Sequence, residues 1–174
     1  DVFLKSLTSL VSQTYSSLQI IVVDDGSSED IQTAFESIRP LYENKGRSFV
    51  YIRQENSGAP AARNRGFMEA TGMYVIFWDA DVIADPTMLQ TMYDALQKNT
   101  DASFAYSNFL FGRKLFRGMP FSFKELQKKN YITTTSLVRS VDIIQWDESL
   151  KRFQDWDLWL TMAESGKIGV WIDK

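Results

Sequence analysis

Two carboxylates set two residues apart, as in Asp79-Ala80-Asp81, can converge on one hard divalent cation. Such an ion takes oxygen ligands and keeps several positions for phosphate. The pair comes straight after the apolar run Val75-Ile76-Phe77-Trp78, which reads as a strand buried on both faces. In an open α/β sheet the carboxyl ends of the strands open onto the ligand crevice. An isolated Asp-x-Asp in that place is more often a solvated strand-to-loop junction. Two further acidic sites keep this one from being isolated.

The first is Asp24-Asp25-Gly26-Ser27, after Ile20-Ile21-Val22-Val23. An acid at a strand end can accept hydrogen bonds from a base N–H or a ribose hydroxyl, and the glycine lets a ligand approach the backbone. The second is Gln154-Asp155-Trp156-Asp157-Leu158-Trp159 at the start of a helix. A carboxylate there is held ionised by the helix dipole and free N–H groups, ready to act as a base toward a hydroxyl. Asp155 and Asp157 diverge on a helix, so one is expected in a cleft and the other capping or packing. Taken singly, the first site reads more readily as a turn with a helix cap. The second reads equally as two acids above a Trp/Leu core stripe.

Composition narrows the chemistry further. The chain has 174 residues, 44% hydrophobic and 24% charged, which fits one soluble domain with a full core. It has no Cys and no His, which removes disulfides, zinc sites, thiol catalysis and His-based triads. Acid–base work must then rest on carboxylates, and a metal should be Mg²⁺ or Mn²⁺. A net charge of −3 without a basic run excludes nucleic acid as a natural partner. The 24 aromatics exceed what such a core needs, leaving some for a ligand cleft. No apolar stretch approaches the ~20 residues of a membrane span, and no signal peptide is visible, so a cytoplasmic protein is the default.

The elements that must position these residues alternate. Helical spacing covers 2–13, and strands are expected at 19–23, 49–53 and 73–78. Between them lie a helix over 30–42, capped by Ser27 or Ser28, and one over 60–70 with Pro60 in its first turn. Asp85 caps a helix over 87–97, and a strand follows at 102–109. Residues 111–120, with Gly112, Arg113, Lys114, Arg117, Gly118 and Pro120, read as an irregular loop. A short helix at 122–129, a strand at 131–138, a helix at 154–164 and a strand at 168–172 complete the chain. Alternation of this kind predicts an α/β domain with a mostly parallel sheet and helices on both faces.

In order and spacing, five segments resemble the family 2 glycosyltransferases of the GT-A fold. They are Ser12-Gln13-Thr14-Tyr15, Ile21 to Ser27, Asn56-Ser57-Gly58 through Ala62-Arg63-Asn64-Arg65-Gly66, Phe77 to Asp81, and Gln154 to Trp159. The resemblance implies a single Rossmann-like GT-A domain over 1–174, trimmed at both ends, whose N-terminal strand is missing along with its Pro-Thr-Tyr-Asn-like loop. It implies that Asp25, with Asp24 beside it, contacts the nucleotide base, and that Arg63 and Asn64 face the nucleotide and its phosphates. Asp81 matches the metal ligand, Asp79 the residue near the ribose or the metal, and Asp155 the catalytic base. Thr133-Thr134-Thr135-Ser136 would form part of the acceptor wall, and the loop over 111–120 is expected to shape the acceptor site together with Phe121, Phe123, Tyr131, Trp146 and Trp156.

The implied activity is a metal-assisted, inverting transfer from a nucleotide sugar, a UDP-sugar by preference, to a carbohydrate or lipid-linked acceptor. A hexosyl or N-acetylhexosaminyl group would be moved, in cell-surface polysaccharide or lipid-linked oligosaccharide assembly. Gln154 stands where the family most often has Glu, and Val82 where a third acid is common. No Gln-x-x-Arg-Trp follows Asp155, which favours single-sugar transfer over polymer synthesis. Peripheral association with the inner face of a membrane would come through a lipid acceptor, because the sequence itself does not argue for it. The competing readings are a nucleotide-sugar-binding domain without turnover and a sugar nucleotidyltransferase, which would want a Gly-rich basic phosphate loop.

Overall fold

A computed structural model describes residues 2–43 and 47–174. The chain falls into two compact units, Asp1–Gly72 with Asp79–Gln90, and Met73–Trp78 with Thr91–Lys174.

The first unit is built on two parallel strands, β1 (Gln19–Asp25) and β2 (Ser48–Gln54), paired from Gln19↔Ser48 to Asp25↔Gln54. Helix α1 (Val2–Val11) precedes them, α2 (Ile31–Glu43) connects them, and α3 (Ala59–Met68) follows and packs on β1. Phe35 of α2 is sealed from solvent against Phe49 and Tyr51, with ring centroids 4.7 and 5.6 Å away. The cap of α2 is Asp30, which accepts the Thr33 N–H at 3.0 Å, and neither Ser27 nor Ser28 takes that place. An Asp one residue before the helix is as good a cap as Ser, and here it lies closer to the first turn.

The end of α1 is held by one cation. Arg47, only 5% exposed, donates from Nη1 to the carbonyls of Leu10 and Val11, and from Nη2 to those of Gln13 and Tyr15. Leu10 and Val11 lie in the last turn of α1, where a positive charge is favoured, and Gln13 and Tyr15 lie in the segment that follows it. Gln13, also buried, extends the junction. Its amide donates to the Asp85 carbonyl at 2.8 Å and accepts the Leu89 N–H at 3.0 Å. The segment that carries Asp79 and Asp81 is thereby tied down at its far end.

The second unit holds a four-stranded mixed sheet in the order β3-β7-β4-β8, with β3 (Tyr74–Ile76), β4 (Phe104–Ser107), β7 (Leu137–Arg139) and β8 (Gly169–Ile172). β4 and β8 are parallel, whereas β7 runs antiparallel between β3 and β4. Helix α4 (Met88–Lys98) starts in the first unit and continues in this one, and α6 (Gln154–Glu164) precedes β8. Phe104 is fully buried and lies 4.9 Å from the ring of Trp159 of α6, with Leu96, Leu126, Ile132 and Met162 also sealed. Arg139 ties three elements, donating to the carbonyls of Leu96 and Ala102 and to the Tyr74 hydroxyl.

Four expectations change here. Residues 111–120 are not an irregular loop throughout, because β5 (Phe109–Phe111) and β6 (Lys114–Phe116) form an antiparallel hairpin that turns at Gly112. Gly112 has a φ of 60°, a left-handed conformation that glycine adopts without a steric penalty. The strand read at 102–109 accordingly breaks between Ser107 and Phe109. The strand read at 131–138 shrinks to β7, since Thr133 and Ser136 turn the chain, Ser136 Oγ donating to the Thr133 carbonyl at 2.7 Å. Hydroxyl side chains that satisfy their own backbone compete with a sheet ladder. The short helix read at 122–129 is a single turn, α5 (Phe123–Leu126), capped by Ser122.

Replacing Arg47 by Met removes four hydrogen bonds to the carbonyls of Leu10, Val11, Gln13 and Tyr15. The expected loss is about 2–4 kcal/mol in equilibrium urea unfolding. A loss below about 1 kcal/mol would mean that water reaches those carbonyls.

Candidate active site

In the first unit the two neighbouring carboxylates at the end of β1 have different tasks. Side chains alternate along a strand, so Asp24 turns inward and Asp25 outward. Asp24 is 3% exposed. Its Oδ1 accepts the Ser27 N–H at 2.8 Å, and its Oδ2 accepts from the Tyr51 hydroxyl and Arg53 Nη1, both at 2.7 Å. Burial pushes its pKa up, but the hydrogen bonds from Ser27 and Tyr51, with the Arg53 charge, outweigh it and hold the group below 3.8. Asp24 is therefore an internal anion that joins β1, β2 and the following turn. The resemblance placed it beside a base; its side chain is buried on these three partners.

Asp25 braces the turn that leads into α3. Its Oδ1 accepts from Gln54 Nε2 and the Ser57 N–H, and its Oδ2 accepts the Gly58 N–H, each at 2.8 Å. Gly26, with φ 77°, lies so close to this turn that a Cβ would stand 2.9 Å from the Asn56 nitrogen. Two loops that ligand chemistry would need together are thus fastened by one carboxylate and one missing side chain. Pro60 enters α3 within its first two positions, as its sequence position predicts.

Arg63 of α3 donates from Nη2 to Asp79 Oδ1 at 2.7 Å, the guanidinium side chain being 17% exposed and the carboxylate side chain 43%. The helix residue expected near phosphates and the acid expected near the metal are in direct contact. Asn64 sits on the same helix and is half-buried, and Asp81 is exposed. Among the described residues no three acidic side chains gather into a metal cluster. Mg²⁺ is commonly held by one or two carboxylates with phosphate oxygens supplying the rest, so a metal cluster is not a requirement for such an ion.

In the second unit Asp155 lies in the first turn of α6, where its Oδ2 accepts from Asn130 Nδ2 at 2.8 Å. Asp157, two residues on, diverges as expected. Burial raises its pKa, and the nearby charges of Asp147 and Glu164 add to that. Trp156 donates its indole N–H to the Leu126 carbonyl at 2.7 Å. Thr134, Thr135 and Ser136 are buried, and Tyr131 and Trp146, 7% and 3% exposed, belong to the core of this unit rather than to a surface wall. Trp146 packs edge-on against Phe77 at 5.1 Å.

Sequence reasoning missed Tyr51, Arg53, Gln54 and Asn130. The first two were within reach, because Tyr51 and Arg53 alternate on one face of β2 and the register sets Asp24 against Arg53. Asn130 gave no signal, since it precedes no periodic run.

The model of the family described as Glycosyl transferase family 2 matches residues 1–153. The chain belongs to this family. Among family 2 relatives, an uncharacterized glycosyltransferase of Methanocaldococcus jannaschii is 31% identical over 170 residues, covering 90% of this chain and 58% of its own length. A cholesterol galactosyltransferase of Borreliella burgdorferi is 38% identical over 92 residues, covering 52% of this chain and 25% of its own. Of the solved structures, TarS 1–349 of S. aureus superposes with a TM-score of 0.79 at 22% identity, covering 100% of this chain and 55% of that one. The same protein in complex with UDP gives 0.74 at 22% identity, covering 98% and 53%. The likeness gives this family 2 chain its α/β GT-A fold. The chain spans less than two thirds of the length of these relatives.

The folded-state pKa of Asp24 is depressed, so its stabilisation is present above the unfolded value near 3.8 and is lost as pH falls through the folded value. Asp24→Asn is expected to cost roughly 1–3 kcal/mol near neutrality, measured by urea unfolding. The gap between variant and parent should narrow as the pH falls below about 4. A pH-independent gap would sink the assignment of Asp24 as an internal anion.

Proposed function

We propose that this chain transfers a sugar from a nucleotide-diphosphate sugar, a UDP-sugar by preference, to an acceptor hydroxyl with inversion of configuration. The observation that carries the reading is the meeting of Arg63 and Asp79 at 2.7 Å, in a unit that also holds Asp25 and Asp81. A guanidinium and a pair of carboxylates are what a diphosphate with its counterion requires, the first for the phosphate oxygens and the second for the ion. Family membership and the UDP held by the structurally similar TarS support the same donor class.

Asp79 and Asp81 would hold Mg²⁺ or Mn²⁺ together with diphosphate oxygens. The ion would offset the charge that develops on the leaving nucleotide. Arg63, released from Asp79, would turn to the phosphates, and Asn64 would hydrogen-bond on the same helix face. Asp25 would accept an N–H of the base, while Asp24 keeps the loop beneath it rigid. Asp155 would take the proton from an acceptor hydroxyl as that oxygen attacks the anomeric carbon, and Asn130 fixes the orientation of its carboxylate. Bond formation to the acceptor and cleavage from the diphosphate occur in one displacement, without a covalent enzyme intermediate. The acceptor is a carbohydrate or a lipid-linked sugar.

Calorimetric titration of UDP and GDP in the presence and absence of Mn²⁺ tests the donor half of this reading. UDP should bind only with the metal, and Asp81→Ala should lose that binding. Asp155→Asn tests the other half. It should retain nucleotide binding and lose on the order of 10²–10⁴-fold in turnover with a transferred UDP-sugar. A well-folded chain that binds neither nucleotide would overturn the proposal, as would full turnover by the Asp155 variant.

A further inference from the structure

We infer that the β5–β6 hairpin of the second unit is a docking element for a bilayer surface bearing anionic headgroups. The inference is independent of the transferase reading. Within residues 109–117 five side chains are apolar, three are cationic and none is acidic. The cross-strand pairs are Phe109↔Phe116, Leu110↔Leu115 and Phe111↔Lys114. Alternation along the strands therefore puts Phe109, Phe111 and Phe116 on one face with Lys114, and Leu110 and Leu115 on the other.

A hairpin of a water-soluble sheet ordinarily turns one apolar face to a core and one polar face to water. This one shows apolar groups to solvent on both. Leu110 is 68% exposed, Phe111 75%, Leu115 48% and Phe116 36%. Phe109 and Phe116 stack at 5.0 Å with their rings 6° apart, which stiffens the base of the hairpin while its turn projects. Large apolar side chains gathered in one exposed patch mark an interaction surface.

The charges select the partner. Arg113, Lys114 and Arg117 are exposed, and none of them forms an ion pair with a carboxylate among the described residues. They stand on a chain whose net charge is −3, so the cations are concentrated where the apolar groups protrude. The Lys114 ammonium lies 4.9 Å from the centre of the Phe116 ring, with its stem along the aromatic face. That is the arrangement in which a long cation reaches headgroups while apolar neighbours enter the acyl boundary. A second protein would need roughly 20–30 residues a side for a stable interface, more than a nine-residue hairpin supplies. A bilayer imposes no matching shape, and its anionic lipids attract each basic side chain near the surface.

Co-sedimentation of the chain with vesicles tests this. Vesicles with about a third phosphatidylglycerol in phosphatidylcholine should bind it on the order of tenfold or more above phosphatidylcholine alone, with the advantage lost at high salt. Phe111→Ser with Leu115→Ser, and separately Arg113→Gln with Lys114→Gln and Arg117→Gln, should each remove most of that binding while the circular dichroism spectrum is unchanged. A second measurement needs no variant: trypsin cleavage after Arg113, Lys114 and Arg117 should slow about tenfold when the anionic vesicles are added. Failure to bind anionic vesicles, binding that neither variant alters, or unprotected tryptic sites overturns the inference. Self-association without lipid that both variants abolish would also overturn it, in favour of a second copy as the occupant.

Discussion

A carboxylate sealed from water must find donors on every side, and the first unit is organised around that constraint at Asp24. A buried unpaired anion costs several kcal/mol, so the chain cannot place Asp24 at the end of β1 without supplying Tyr51 and Arg53 opposite it and the Ser27 N–H below. Those three donors come from the second strand and from the turn. Satisfying the anion therefore fixes the register of β1 on β2 and the path of the backbone after Asp25. The loops that the donor reading uses inherit their placement from an acid that is itself buried.

Each unit also closes a helix with an arginine. Arg47 collects carbonyls at the end of α1, and Arg139 collects the Leu96 carbonyl in the last turn of α4. A guanidinium has five donors in a rigid fork, which lets one side chain serve several carbonyls that water would otherwise have to reach. Both arginines lie far in sequence from the carbonyls they hold, and no periodic pattern announces such a partner.

What could be read from the sequence follows from the range of the physics involved. Strands β1 and β2 and helices α1, α2, α3, α4 and α6 were legible because apolar runs and spacing, and for α3 its Pro60, are local signals, although the cap of α2 is Asp30. Alternation of strand and helix gave the α/β class, and the order of five short motifs gave the family that the match over residues 1–153 establishes. β7 was read too long because Thr133 to Ser136 are good strand formers whose hydroxyls chose the backbone instead. The hairpin was read as loop because Gly112 and Gly118 outweighed five apolar residues spaced on either side of a turn. The division of labour between Asp24 and Asp25 was hidden for another reason. Alternation says that two neighbours face apart, but only the partner strand says which face is buried.

The bonds already made by Asp25 have an arithmetic of their own. A carboxylate offers about four lone-pair positions. Gln54 and Ser57 occupy Oδ1, and Gly58 takes one position on Oδ2. Three of the four are taken by the turn, so on the donor reading a visitor that brings a single N–H would leave those bonds in place. A visitor that brings two side by side must evict part of the turn that leads into α3. The loop bracing thus doubles as a valence filter, in which the enclosure is ranked by how many donors it can still count rather than by its size.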